Sequence, residues 1–172
     1  AFAPFATDGR RSLKPVKAGE ILKLLANETR PIFVHNNSSM DEDVQNLGGI
    51  PLTRCSIRQV AAVLEQCHVV LSVDTGIAHV AASVQNRGRP FLVVVMGMIQ
   101  AIYRFGTYRN WISMEPKGLE CFPCPDFSSG RSCYAECMEY HTPSAIVSKT
   151  LDVLNSVLAV GANRDDVQHG QH

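Results

Sequence analysis

Short continuous apolar runs alternate with stretches that carry apolar residues at helical spacing along most of this chain. The apolar runs predict buried strands over 2–6, 31–35, 50–52, 68–73 and 90–96. The helical stripes predict helices over 16–26, 40–47, 57–67, 76–84 and 143–160. Buried strands that alternate with helices are typical of a parallel sheet covered on both faces. The pattern therefore predicts an α/β fold, an open parallel sheet with helices on both faces.

Signals at the element ends support several of these helices. Ser56, followed three residues later by Gln59, is the capping-box pattern of a helix start. Thr142 and Pro143 form an N-cap and first-turn pair for the last helix. The segment 98–120 has aromatic residues without a clear period, which predicts a long functional loop with short elements.

Residues 1–160 thus form one predicted domain, which carries a cysteine-rich insertion over about 121–137 and a C-terminal helix. The remaining residues, 161–172, are polar and have no apolar period, so we expect a disordered tail.

The sharpest local feature is the junction after the fourth apolar run. That run ends in Asp74-Thr75-Gly76, and small residues at helical spacing follow at once. A turn that leaves the carboxyl end of a strand is where open parallel sheets bind ligands, and a helix N-terminus there favours an anion. We expect a phosphate-bearing ligand at Thr75, Gly76 and Ile77, with Asp74 and His79 as side-chain partners. The alternative is that these residues only cap and pack a helix.

The composition limits the function classes. The chain has 172 residues, 45% apolar and 19% charged, as expected for a single globular domain. Its net charge of zero argues against a general nucleic-acid binder. No apolar run approaches the roughly 20 residues that span a bilayer, and the N-terminus lacks the layout of a signal peptide. The chain begins without Met and directly at a predicted strand, so we expect it to be a piece of a longer protein.

The sequence contains six cysteines, and four of them form two close pairs, Cys121 with Cys124 and Cys133 with Cys137. Two such pairs can place four thiolates around a structural zinc ion. Two disulfides in an oxidising compartment, an iron–sulfur cluster, and four reduced thiols without metal are the alternatives. Cys55 and Cys67 stand alone and are expected to be buried small hydrophobic residues.

These motifs together resemble a known family. The pattern Asp-Thr-Gly-x-x-His-x-Ala-Ala over 74–82, followed by a Pro-led strand that ends in Gly97, is similar to glycosyltransferase family 9, the ADP-heptose:lipopolysaccharide heptosyltransferase-like enzymes. The resemblance continues in Cys137-Met138 ahead of the Thr-Pro-led helix and covers about 1–160. It implies a Rossmann-like domain, the C-terminal, donor-binding half of the family's two-domain GT-B fold.

The resemblance also implies roles for particular residues. The donor diphosphate would be held at Thr75, Gly76 and Ile77, in a site shaped by Asp74 and His79. A basic residue after the first strand would face the donor phosphates, with Arg11 preferred over Lys14; the alternative is a solvated basic turn. An acidic residue after the second strand, Asp41 or Glu42, would meet the donor ribose. The segment 98–101 lacks the glycines or proline of many members, which leaves the donor sugar open.

Two functions follow as hypotheses. The first is transfer of a sugar from a nucleotide-diphosphate donor to a glycan or lipid acceptor in lipopolysaccharide or polysaccharide biosynthesis, in the cytoplasm, at the inner face of the membrane. The resemblance places the general base in an N-terminal half absent here, so this chain alone is expected to bind donor without turnover. No cofactor is expected for catalysis, because protein groups can stabilise the leaving diphosphate. The second hypothesis is a non-catalytic nucleotide- or glycan-binding module. A dinucleotide-dependent dehydrogenase is disfavoured, because no Gly-x-Gly-x-x-Gly follows a strand.

Overall fold

The computed structural model describes residues 1–86, 89–124 and 136–168, with side chains described up to residue 160. Within these residues, six strands form one sheet in the order β3-β2-β1-β4-β5-β6, and all their pairings are parallel. The strands are β1 (Phe2–Ala3), β2 (Ile32–Val34), β3 (Ile50–Leu52), β4 (Val69–Val73), β5 (Phe91–Val95) and β6 (Trp111–Met114). Because all strands point the same way, their carboxyl ends lie at one edge, which we call the carboxyl edge.

Helices lie between successive strands, further helices follow β6, and together they cover both faces of the sheet. They are α1 (Pro15–Ala26), α2 (Asp41–Asn46), α3 (Ile57–Gln66), α4 (Gly76–Ser83), α5 (Ile102–Phe105), α6 (Glu136–Glu139) and α7 (Pro143–Gln168), with short 3-10 turns at Gly9–Arg11 and Ser38–Met40. None of the described helices is long and apolar enough to cross a membrane.

Strand residues alternate between two hydrophobic cores, one on each face of the sheet. Leu71, Val73, Val93 and Val95 pack with residues of α1 and α7. Val70, Leu92 and Val94 pack on the other face with residues of α3, α4 and α5. Each fully buried aliphatic side chain contributes about 1.5–3 kcal/mol relative to an exposed one. The predicted α/β fold, a Rossmann-like open parallel sheet with helices on both faces, is confirmed.

The strand order places the functionally important crevice between β1 and β4. The chain moves from β1 to β2 and β3 on one side, and from β4 to β5 and β6 on the other. The connections that leave β1 and β4 therefore turn away from each other, and this is the point where open α/β sheets bind their ligands. The turns after Ala3 and Val73 border this crevice.

Several predicted boundaries need correction. The first strand ends at Ala3 and not near Ala6. The hydroxyl of Ser12 accepts a hydrogen bond from the N–H of Ala6 at 2.9 Å and donates one to its carbonyl at 3.1 Å, so Ala6 bonds to Ser12 instead of a neighbouring strand. The last helix continues to Gln168, so its predicted end near 160 is wrong; residues 169–172 of the predicted tail lie outside the described residues. Cys55 is exposed rather than buried, since it lies in the loop between β3 and α3.

The prediction for the segment 98–120 missed a strand. β6 pairs with β5 along Leu92–Val95 and forms an edge of the sheet. All four of its residues are half-buried, so neither a continuous apolar run nor a clear alternation marks the strand in the sequence. Helix α5 precedes β6 and lies next to Asp74, at the carboxyl end of β4.

Candidate functional site

The turn after β4 presents backbone N–H groups at the carboxyl edge. Thr75 is the N-cap of α4, with an extended backbone and no capping bond from its side chain. The N–H groups of Gly76 and Ile77 stand in the first turn, where a helix offers no acceptor of its own. A Cβ atom placed on Gly76 would meet nothing within 4 Å, so this position opens onto free space. The turn can therefore take an anion at close range.

Asp74 lies under this turn and is almost completely buried, with 2% of its surface exposed. A buried carboxylate needs positive or hydrogen-bonding partners, because desolvation of a charge is costly. Three basic side chains approach it from three different elements: Arg11, His79 and Arg104. We call these four residues the Asp74 cluster.

Arg11 reaches the cluster from the turn after β1. Its Nη1 donates to the backbone carbonyl of Asp74 at 3.2 Å and lies 3.3 Å from Oδ2 of the same residue. The 3-10 turn Gly9–Arg11 positions it, with Asp8 as the N-cap. The neighbouring Arg10 instead pairs with Asp8 at 2.9 Å, and its hydrogen bonds lower the pKa of that carboxyl group. Arg11 therefore points into the crevice, whereas Arg10 stays beside Asp8.

His79 lies one helical turn after Gly76 on α4. Its Nε2 is 3.9 Å from Asp74 Oδ1, and its ring stacks on Phe105 with centroids 4.8 Å apart. The hydroxyl of Tyr108 is 3.4 Å from Nδ1. The imidazole is therefore held between the turn, Phe105 of α5 and Tyr108 in the loop after α5.

Arg104 completes the cluster, and the sequence analysis did not select it as a site residue. Its Nε lies 3.6 Å from Asp74 Oδ2, the oxygen that Arg11 also approaches. Phe105 and Tyr108, which hold His79, belong to the same segment and were missed as well. The signal available in the sequence is the concentration of aromatic residues around Arg104, which indicated a functional loop without assigning a residue to the site.

The second basic residue that we considered, Lys14, has a different environment. Its side chain is two-thirds exposed, and its Nζ lies 3.9 Å from Glu139 of α6. The structure therefore brings Arg11, and not Lys14, into contact with Asp74.

The two candidate ribose-binding residues start helix α2. Asp41 Oδ1 lies 3.2 Å from Nε2 of His35, whose side chain is buried just after β2. Among the described residues neither ring nitrogen of His35 has a hydrogen-bond partner, so this close approach lacks hydrogen-bond geometry. Glu42 is exposed. Because β2 neighbours β1, Asp41 stands on the β1 side of the crevice.

The four clustered cysteines are only partly described. Cys133 lies outside the described residues, Cys121 is exposed, Cys124 is half-buried and Cys137 is buried. The N–H of Cys124 donates to the carbonyl of Met98 at 2.6 Å, and Cys137 packs against Gly97. The described part of the chain contains no group of three or more His, Cys, Asp or Glu side chains that could hold a metal ion. Structural zinc stays a prediction.

Comparison with known proteins supports the motif at the turn. Residues 26–88 match the family model described as glycosyltransferase family 9 (heptosyltransferase). The resemblance to glycosyltransferase family 9 is confirmed. The matched segment contains the turn from Asp74 to His79, and it contains neither Arg11 nor Arg104.

A solved structure has a fold similar to that of this chain. It is the crystal structure of the glycosyl transferase family 9 from Veillonella parvula DSM 2008, which superposes with a TM-score of 0.67 over 90% of this chain at 12% identity. At that identity the likeness shows the fold alone. The chain spans 45% of the length of that family 9 structure. No curated protein sequence matches the chain.

Proposed function

We propose that this chain is the donor-binding domain of a family 9 glycosyltransferase, which holds the diphosphate of a nucleotide sugar at the start of α4. One observation carries the proposal: the open first turn of α4 stands at the crevice between β1 and β4, beside the guanidinium of Arg11. The family match over 26–88 includes this turn. Helix N-terminal N–H groups and an arginine are complementary to phosphate oxygens.

The proposed chemistry is electrostatic. When the bond between sugar and diphosphate breaks, negative charge builds on the departing diphosphate. The N–H groups of Gly76 and Ile77, the positive end of α4 and the guanidinium of Arg11 would stabilise that charge without a cofactor. Asp74 holds the guanidinium in place by a contact with its carboxylate and another with its carbonyl.

The rest of the reaction involves groups outside the described site. Asp41 is the better candidate for the ribose, because it sits on the β1 side of the crevice while Glu42 is exposed. The general base is expected in an N-terminal GT-B half, and the acceptor is expected to be a glycan or lipid. Location in the cytoplasm, at the inner face of the membrane, stays a prediction.

Titration of ADP, UDP and GDP into the purified chain tests the proposal. We expect saturable binding of at least one nucleoside diphosphate, and at least about tenfold weaker binding by Gly76→Val, because the valine side chain would fill the space of the phosphate. Gly76→Ala serves as the graded control, and thermal unfolding checks that both variants fold. A chain that binds none of the three nucleotides would contradict the proposal.

The alternative function, a non-catalytic nucleotide- or glycan-binding module, requires a second measurement. The full-length protein should transfer sugar from the nucleotide diphosphate that this chain binds. Nucleotide binding without transfer by the full-length protein would favour the module instead.

A further inference from the structure

We infer that His35 is a positioning residue for Asp41: its buried imidazole holds one carboxylate oxygen and thereby orients the carboxylate for the ribose hydroxyls of the bound nucleotide. This inference rests on the proposed function, in which Asp41 is the ribose-binding candidate, and adds a residue to it. His35 directly follows β2, and the sequence analysis did not select it as a site residue. The decisive contact joins His35 Nε2 and Asp41 Oδ1, which lie 3.2 Å apart.

The backbone and the ring of His35 are both held in place. Its N–H donates to the carbonyl of Leu52 at 3.2 Å, which continues the pairing of β2 with β3 one step beyond Val34. Its ring packs edge-to-face against Phe33, with centroids 5.4 Å apart. The side chain is 1% exposed. His35 is therefore covered by protein, so it can act on a ligand only through a neighbouring residue.

The turn before α2 sets the position of Asp41. The N–H of Asp41 donates to the carbonyl of Ser38 and closes the 3-10 turn, and α2 begins at Asp41. Arg54, in the loop after β3, donates to the hydroxyl of Ser38 at 2.8 Å. The turn that carries Asp41 is thus tied to the loop after the strand that pairs with β2.

The carboxylate of Asp41 has a covered side and an open side. Oδ1 is buried against the imidazole, although the side chain as a whole is 33% exposed. A ligand hydroxyl can approach only the open side, at the carboxyl edge of the sheet. The covered oxygen is left to His35, and a carboxylate held at one oxygen presents the other in a fixed direction.

The short contact also determines where a proton lies. A carboxylate oxygen and an unprotonated ring nitrogen both present lone pairs, so they would repel each other at this distance. The contact is attractive when Nε2 carries a proton, in either the neutral or the charged imidazole. The attraction is electrostatic, because the approach lacks the geometry of a hydrogen bond.

Buried polar atoms without hydrogen-bond partners are concentrated at this end of β2 and β3. Both ring nitrogens of His35, Oδ1 of Asp41 and the hydroxyl of Thr53 have none among the described residues. Thr53 follows Leu52 and so stands next to His35 in the register of the two strands. Because each such atom costs stability, their concentration at one place indicates a functional site rather than a packed core.

The test is calorimetric titration of wild type, Asp41→Asn, His35→Leu and His35→Gln. The probes are whichever of ADP, UDP and GDP binds and its 2′,3′-dideoxy form, which lacks both ribose hydroxyls. Wild type should prefer the ribose form about 10- to 100-fold, and Asp41→Asn should reduce this preference to less than about threefold.

His35→Leu should reduce the ribose preference about three- to tenfold and leave the affinity for the dideoxy form within about twofold of wild type. His35→Gln should retain most of the preference, because its amide can place an N–H where Nε2 stands. Asp43→Asn is the matched control: Asp43 is exposed in the same first turn of α2, and its variant should keep the preference of wild type.

The double variant His35→Leu/Asp41→Asn tests whether His35 acts through Asp41. Its ribose preference should equal that of Asp41→Asn alone, because the group that His35 positions is already altered. Thermal unfolding without nucleotide checks that every variant folds.

Three results would overturn the inference while the proposed function stands. The first is an unchanged ribose preference in His35→Leu, or a wild type without such a preference. The second is a double variant with a lower preference than Asp41→Asn. The third is an equal loss of affinity for both probes in His35→Leu together with a lowered unfolding temperature, which would make His35 a structural residue. If wild type binds no nucleoside diphosphate at all, the proposed function fails first and the inference fails with it.

Discussion

Two neighbouring strands, β4 and β5, end in glycine-bearing turns at the same edge of the sheet, and the two turns have opposite surroundings. Gly76 after β4 faces free space, with the Asp74 cluster beside it. Gly97 after β5 is covered: an added Cβ would lie 2.7 Å from Met138 Sδ and 2.8 Å from Cys137 Sγ. Position at the carboxyl edge is therefore not enough to make a site.

The buried charges near the two turns differ in the same way. Lys17 is 7% exposed, donates to the carbonyl of Met138 at 2.8 Å and lies 3.7 Å from Glu139. These contacts fasten α6 over the end of β5. Asp74 is approached by Arg11 and Arg104, whose side chains are 25% and 36% exposed. The comparison teaches that a buried charge does not by itself mark a binding site: Lys17 ties α6 to the end of β5, whereas Asp74 lies beside an open turn.

The substitution with the largest expected effect tests whether Lys17 has a structural role at the end of β5. Lys17→Glu would place a buried carboxylate against Glu139 and a carbonyl oxygen, and should lower the free energy of unfolding by about 3–5 kcal/mol in urea denaturation. Lys14→Glu is the control, since Lys14 is 66% exposed and lies 3.9 Å from the same Glu139; its cost should stay below about 1 kcal/mol. Similar losses for both variants would contradict this account.

A pair of glycine substitutions compares the two turns directly. Gly97→Ala forces its methyl group against Met138 and Cys137, which should cost about 1–3 kcal/mol of unfolding free energy. Gly76→Ala places the same methyl group in free space and should change the unfolding free energy by less than about 0.5 kcal/mol. Thermal or urea unfolding measures both. Equal costs would mean that the two ends are packed alike.

Substitution of the two adjacent arginines after β1, Arg10 and Arg11, tests which of them serves the turn after β4. Arg11→Gln removes the group that contacts Asp74 and, by our proposal, the phosphate, so nucleoside diphosphate binding should weaken about tenfold. Arg10→Gln alters the neighbour that pairs with Asp8 and should leave the affinity within about twofold of wild type. Titration calorimetry on both variants decides, and a larger loss for Arg10→Gln would refute the assignment.

The pH dependence of stability gives the smallest expected effect, and it tests the burial of Lys17 near the end of β5. Burial lowers the pKa of Lys17 from its usual 10.5, against the opposing effect of Glu139. Between the lowered pKa and 10.5 the unfolded chain binds more protons at this site than the folded protein, so stability rises with pH there. The unfolding free energy of wild type minus that of Lys17→Met should therefore increase toward alkaline pH. A difference that falls with pH would contradict the burial of this charge.

Most of the fold could be predicted from local pattern, and the exceptions share a cause. β4 and β5 are buried on both faces, so their continuous apolar runs identify them. The capping box at Ser56 and Gln59 is confirmed by reciprocal hydrogen bonds. β6 was missed because it is a half-buried edge strand, and the first strand is shorter because Ser12 takes the backbone groups of Ala6. The bounds of these two strands depend on contacts with distant residues, so the hydrophobic pattern of their own residues predicts them poorly.

The sequence by itself determined the alternation of strands and helices and the anion-type turn from Asp74 to His79, because burial and helix capping act on adjacent residues. Only the tertiary structure decided which basic residues meet that turn. Arg11 lies 63 positions from Asp74 and was preferred over Lys14 on resemblance alone, while Arg104 was not selected at all. The strand order brings these distant segments together at one crevice, and charge complementarity across it is a property of the folded chain.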